Sequence, residues 1–169
     1  MQRWFATICN IVLLRAGPQD LPCGLASPLL ALILFVLVML ASGVIGQSPQ
    51  PGAPIGAAML ISIGLPLLAV LALLTLRRKP ERFNQTTAAL FGAGALISLI
   101  NVPLWLNDTL PVPAPLVMLA LLGLFWSIAV DGHIWRNALD IGYAGGVAIA
   151  VAILFAQLAA FQGLTGGTA

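Results

Sequence analysis

The stretch "VDGHIWRNALD", residues 130–140, sets Asp131, His133, Arg136 and Asp140 between two strongly apolar runs. Carboxylates, an imidazole and a guanidinium so close together could pair charges or pass protons. On a helix, His133, Arg136, Asn137 and Asp140 fall at i, i+3, i+4 and i+7, so they share one face. That spacing predicts an Arg136–Asp140 ion pair with His133 one turn earlier, and it makes these four residues the candidate polar functional face. Three uses compete. The first is a short helical elbow at the membrane boundary, with Ile134, Ala138 and Leu139 resting on the bilayer. The second is a polar pocket or ion path, formed if a short preceding span draws Asp131 and His133 into the membrane. The third is a docking surface for a soluble partner. The elbow is the reading carried forward. One histidine and two carboxylates with no cysteine nearby make a poor metal-ligand set, and no cofactor is expected. A lone histidine titrating near neutrality could sense pH.

The elements that hold this stretch follow from composition. Of 169 residues, 60% are hydrophobic and 7% charged. Soluble domains lie nearer 45–50% apolar and about 25% charged. The chain therefore reads as all-α, a polytopic helical bundle in a membrane. A transmembrane barrel would show alternating segments of about ten residues, and these runs are longer and unbroken. Five apolar runs cover Pro28–Gly46, Ile55–Leu76, Thr87–Leu106, Pro113–Val130 and Ile141–Phe161. A helix rising 1.5 Å per residue needs about 20 residues to cross a hydrocarbon core of about 30 Å. Four runs reach that length comfortably and the fourth is short.

Ahead of them lies an interfacial segment, residues 1–27, whose first 22 residues resemble a signal peptide only superficially, because Asn10 breaks the apolar stretch and Arg15 stands where small residues should precede cleavage. Trp4, Phe5, Ile8, Ile11 and Val12 recur at helical spacing, which predicts an amphipathic helix lying on the membrane surface and ending at Gly17-Pro18. The uncharged, proline-rich "QSPQPGAP" predicts a tight turn, and residues 162–169 a short mobile tail. The domain proper is 28–161.

Charge sets the threading. With the N-terminus cytoplasmic and five spans, all seven basic residues fall in inside segments: Arg3, Arg15, Arg77, Arg78, Lys79, Arg82 and Arg136. Merging the last two runs into one span would sink four ionisable groups in hydrocarbon at several kcal/mol each. Tryptophan and tyrosine favour membrane boundaries, and Trp4, Trp105, Trp126, Trp135 and Tyr143 can all be placed there. The expected home is a bacterial inner membrane, with the C-terminus outside. The cluster Arg77, Arg78, Lys79 and Arg82 is the expected contact for anionic lipid headgroups. A formal charge of +2 is too small to argue for nucleic acid. Cys9 and Cys23 form neither a metal motif nor a disulfide framework.

Small residues show how the spans should pack. Gly142, Gly146 and Ala150 recur every four residues in the last run, and the third run carries Gly92 on a comparable small face with Ala88. Such faces let backbones approach closely, so spans three and five are expected to pack together, with a homo-oligomer or membrane-protein partner as the alternative. Pro66 and Pro103 should kink their helices, and Asn101 should bond to a neighbouring helix. No GxSxG elbow, phosphate loop, HExxH pair or catalytic carboxylate dyad occurs, so an enzyme is not expected.

Five closely spaced spans with an amphipathic lead-in, and the stretches "ERFNQTTAALFGAGALISLINVPL" and "GHIWRNALDIGYAGG", resemble the Yip1-type membrane proteins. That resemblance implies a non-enzymatic role in organising membranes. It carries over no site residue. The long cytosolic N-terminal region of the eukaryotic members is not in this chain, so their GTPase binding is not carried over either. The functional expectation is an assembly, scaffold or lipid-organising factor. The alternative is a small transporter or channel subunit using the face around His133, Arg136 and Asp140.

Overall fold

Hydrocarbon offers the backbone no hydrogen-bonding partner, so each spanning segment must close its own bonds as a helix. The computed structural model describes residues 2–45, 55–107 and 111–165, and among these it contains helices and no strand. The stretch "QSPQPGAP" lies outside the described residues, so its expected turn does too. A short α1 (Gln2–Val12) precedes α2 (Ala26–Ile45) and α3 (Ile55–Leu76). Then come α4 (Phe83–Ile100), the single turn α5 (Val102–Trp105), α6 (Ala114–Leu139) and α7 (Tyr143–Thr165). Five of them, α2, α3, α4, α6 and α7, are long and apolar enough to cross a membrane. The chain is a multi-pass helical membrane protein.

Three of the five spans differ from expectation in their bounds. The elbow does not exist as a separate element, because α6 runs unbroken through "VDGHIWRNAL" to Leu139. Its 26 residues span about 39 Å, more than a 30 Å core requires. Span three starts earlier, at Phe83, and breaks at Asn101, so Pro103 sits in the first turn of α5 rather than at a kink. A proline is tolerated in a first turn because its missing N–H would have had no intrahelical partner. Pro66, in contrast, lies inside a helix that continues past it. At the other end, α7 continues to Thr165, into the segment expected to be a mobile tail.

The lead-in helix is amphipathic as expected, and its apolar face packs on the bundle while Gln2, Arg3, Phe5, Ala6 and Asn10 stay exposed. Ile8 and Ile11 are completely buried, in one cluster with Ala88, Ala89, Phe91 and Ala93 of α4 and Val130 and Ile134 of α6. Gly92 makes the approach possible, since a Cβ there would lie 2.7 Å from Ile8 Cδ1. Trp4 Nε1 donates to Ser27 Oγ at 2.8 Å, and Trp126 Nε1 to the Val12 carbonyl at 3.1 Å. The helix stops before Gly17-Pro18. Leu14 takes a left-handed conformation (φ 60°), and the Arg15 amide closes on the Asn10 carbonyl at 2.8 Å. Gly17 instead leads a short 3₁₀ turn at Pro18–Asp20, its amide bonded to Asp20 Oδ2 at 2.8 Å.

The small faces meet other partners than expected. The main pairings are α2 with α4 and α6 with α7, followed by α4 with α6 and α3 with α7. Spans three and five are not principal neighbours. Gly92 serves α1, and Gly94 faces Phe35 of α2, whose ring meets Phe91 edge-on at 5.2 Å. Gly146 faces α6: a Cβ there would sit 2.1 Å from the Gly132 carbonyl oxygen and 2.9 Å from the Arg136 nitrogen. Those are backbone atoms, which cannot swing aside. Gly142, the other half of the GxxxG pair, has nothing within 4 Å. Gly146→Ala should therefore force α6 and α7 apart, at a cost of about 1–3 kcal/mol for overpacking. Gly142→Ala should stay within about 0.5 kcal/mol of the parent. Thermal unfolding in detergent would compare them, and equal melting temperatures would refute this packing account.

Candidate functional site

Two polar regions emerge, and the sequence-predicted face belongs mainly to the first. It is a joint at the end of the bundle where the 77–82 loop, the 140–142 turn and the N-terminal segment meet. Asp140 does not pair with Arg136. Helical periodicity ends at Leu139, and Asp140 turns left-handed (φ 51°), so its carboxylate leaves the face that Arg136 occupies. It meets Lys79 and Arg82 instead, the latter at 3.0 Å. The Arg82 guanidinium also reaches the carbonyls of Asn137 at 3.0 Å and Ala138 at 3.1 Å. A cation there satisfies carbonyls at the end of α6 and opposes the negative end of its dipole.

His133 holds the N-terminal segment in place, and Asn137 braces His133. His133 Nε2 lies 3.0 Å from the Ala16 carbonyl, an acceptor that only a protonated nitrogen can satisfy. Asn137 Nδ2 donates to the His133 carbonyl at 2.8 Å. Two residues not anticipated from the sequence complete the attachment. Buried Gln85 donates to Leu21 and Gln19 carbonyls at 2.7 and 3.2 Å, and Asn84 to Cys23 at 3.1 Å. Arg77, Arg78 and Arg136 stay exposed, so the basic cluster divides into two structural cations and two that face outward.

The second region is a cavity of about 320 Å³ lined by α2, α3, α4, α6 and α7, and by Asn101 after α4. Its polar lining comprises Ser62, Ser98, Asn101, Ser127, Asp131 and Gln157. Asp131 has no hydrogen bond or ion pair among the described residues. It lies about 25 Å along α6 from Ala114 and about 12 Å from Leu139, well inside the spanning length. Asn101 Oδ1 is buried without a hydrogen-bond partner, which replaces the expected bond to a neighbouring helix. Its place is beside Gly123, whose missing side chain leaves the amide about 3.5 Å from where a Cβ would stand.

Trp135, expected at the membrane boundary, is almost wholly buried. It lines the cavity and packs with Val70, Leu74, Ala138, Leu139 and Ala150. Of the pair that a short fourth span was expected to draw inward, Asp131 faces the cavity and His133 does not. The described lining thus offers one unpaired carboxylate, two amides and three hydroxyls to an occupant. The described residues hold no cluster of three metal-ligating side chains.

No protein-family model, curated protein or solved structure matches this chain. The site therefore stands on its own geometry.

The joint makes a pH prediction. The Arg82 guanidinium, with the Lys79 ammonium next, holds the Asp140 carboxyl at about 2, below its ordinary 3.8. A depressed folded-state value gives stability that is complete above the unfolded value and is lost as pH falls from about 4 to about 2. Asn tolerates the left-handed conformation, so Asp140→Asn removes the charge and keeps the turn. Its melting temperature should lie below the parent's at pH 7, with the gap closing across that window. The effect should be modest, because the carboxylate is more than half exposed and water screens the pair. A gap unchanged at pH 2 would reject the ion pair as its cause.

Proposed function

We propose that this chain is a non-enzymatic integral membrane protein that admits a small polar solute or ion between its spans, as a transporter or channel subunit. The cavity carries this reading. Buried polar groups ordinarily find partners, and an unpaired carboxylate and, two helical turns away, an unpaired amide oxygen in the same cavity are costly without a ligand or water. Ionisable groups within membrane spans characteristically mark substrate or ion pathways. Of the face first considered, His133, Asn137 and Asp140 are assigned to assembly, because their bonds tie a loop and helix ends together, while Arg136 faces outward.

A scaffold or lipid-organising role is the second reading. The exposed Arg77, Arg78 and Arg136 favour it, since they share one end of the bundle and face outward, as headgroup contacts would. A cytoplasmic setting for that end in a bacterial inner membrane is supported by the gathering of all seven basic residues there. Kinship with Yip1-type proteins belongs to the same proposal and rests on span number and the amphipathic lead-in.

Purified protein in liposomes would decide between the two. Permeation of small polar solutes and of H⁺, Na⁺ and K⁺ would be followed by light scattering and an entrapped pH dye. At least one flux should exceed that of protein-free vesicles. Asp131→Asn should reduce it by roughly tenfold or more, the scale of losing one buried charge contact. His133→Ala should keep most of it. Vesicles as tight as protein-free controls to every solute would reject transport in favour of the scaffold.

A further inference from the structure

Resting on that reading, we infer that the cavity is a blind vestibule for a small monovalent cation, entered from the end opposite the basic loops and closed at its floor by Trp135. Charge selects the ligand. Asp131 is the sole ionisable residue among the described residues of the lining; those of α2, α3, α4 and α7 present only uncharged, non-titrating side chains to it. When ionised, this carboxylate, with no counter-charge among the described lining residues and in a low-dielectric wall, attracts a cation and repels an anion.

The polar groups also step through the membrane in order. Asn101 and Ser98 lie where α4 ends, far from the basic loops. Gln157 lies about 12 Å below the far end of α7, and Ser62 about 10 Å below the start of α3. Ser127 sits one turn before Asp131 on the same face of α6, about 6 Å away. Below Asp131 the polar lining stops. Trp135, Val70, Leu74, Ala138 and Leu139 are buried together there, with no side-chain oxygen among them to replace an ion's water. The ladder thus has one wet end and one dry end. A hydrated ion entering at Asn101 can exchange waters for amide and hydroxyl oxygens before it meets the carboxylate, while the indole and its aliphatic packing bar the way onward.

Single cysteines test this without knowledge of the natural ion. In a Cys9→Ser, Cys23→Ser background, Ser127→Cys and Gln157→Cys would be introduced separately, the second covering the first if it fails to fold. Each would be exposed to a trimethylammonium thiosulfonate and to a sulfonate thiosulfonate of similar size, applied from either face of oriented vesicles. Rates are normalised to those with a free thiol. The cationic reagent should react roughly tenfold or more faster than the anionic one, as one unit charge within about 10 Å requires. Reaction should come from the face opposite Arg77–Arg82, and Asp131→Asn should bring the ratio to about one. Competition identifies the cation: slowing by acid alone assigns a proton, by Na⁺ or K⁺ an inorganic ion, by methylammonium only an amine. A ratio near one with Asp131 intact, faster reaction from the basic face, or no slowing by any of the three overturns the inference. Charge-selective labelling without flux would keep the site and reject transport; flux without charge selectivity would do the reverse.

Discussion

The backbone contact between Gly132 and Gly146 is the constraint on which the rest of the bundle depends. Membrane helices gain little by hiding apolar surface from one another, so close backbone approach must supply much of their attraction. A tight turn at 140–142 returns the chain, and two glycines let α7 lie directly on α6. That crossing brings Ala150 onto Trp135, building the dry floor. It also turns one face of α7, with Ala150, Ile153 and Gln157, toward the same space as Ser127 and Asp131 of α6. Floor and polar wall have one origin.

Polar residues near the basic end serve the opposite purpose. Arg82 satisfies two carbonyls at the end of α6 and a carboxylate just beyond it, while Gln85 and Asn84 bind the loop that leads into α2. Each of these side chains meets a backbone group left open by a helix end or a turn. Loops at this end are thereby fastened to the spans, and the N-terminal helix is held against α4 and α6. The polarity that function would use lies elsewhere, on the one stretch of α6 where a carboxylate has no such duty.

Much of the architecture was legible. Span number, helical class and the amphipathic character of residues 2–12 follow from run length and period alone. The cavity was legible in part. Gly123, Ser127 and Asp131, spaced by four, form a small-and-polar stripe along α6, and Ser98 and Asn101 share a face at i and i+3. The denser charged and polar groups of His133, Arg136, Asn137 and Asp140 outweigh this stripe in the sequence, where an isolated serine carries little signal. Helix ends were misplaced for a related reason. Leu14 and Asp140 stop α1 and α6 in the left-handed conformation that usually marks glycine, and neither residue type announces that role.

By itself, the sequence determined that the chain enters a membrane as helices, since only helices and closed barrels leave no unpaired amides there and these runs are too long and unalternating for barrel strands. It also determined which loops share a side, because basic residues gather in alternate linkers. Which faces touch was decided only in three dimensions. Gly92 and Gly146 both read as helix-packing residues, yet one admits an isoleucine from the N-terminal helix and the other a neighbouring backbone. A small residue specifies that something approaches closely, not what approaches. The partner depends on which helices the turns return to one another, and that same choice left Asp131 facing a cavity and gave Asp140 two cations.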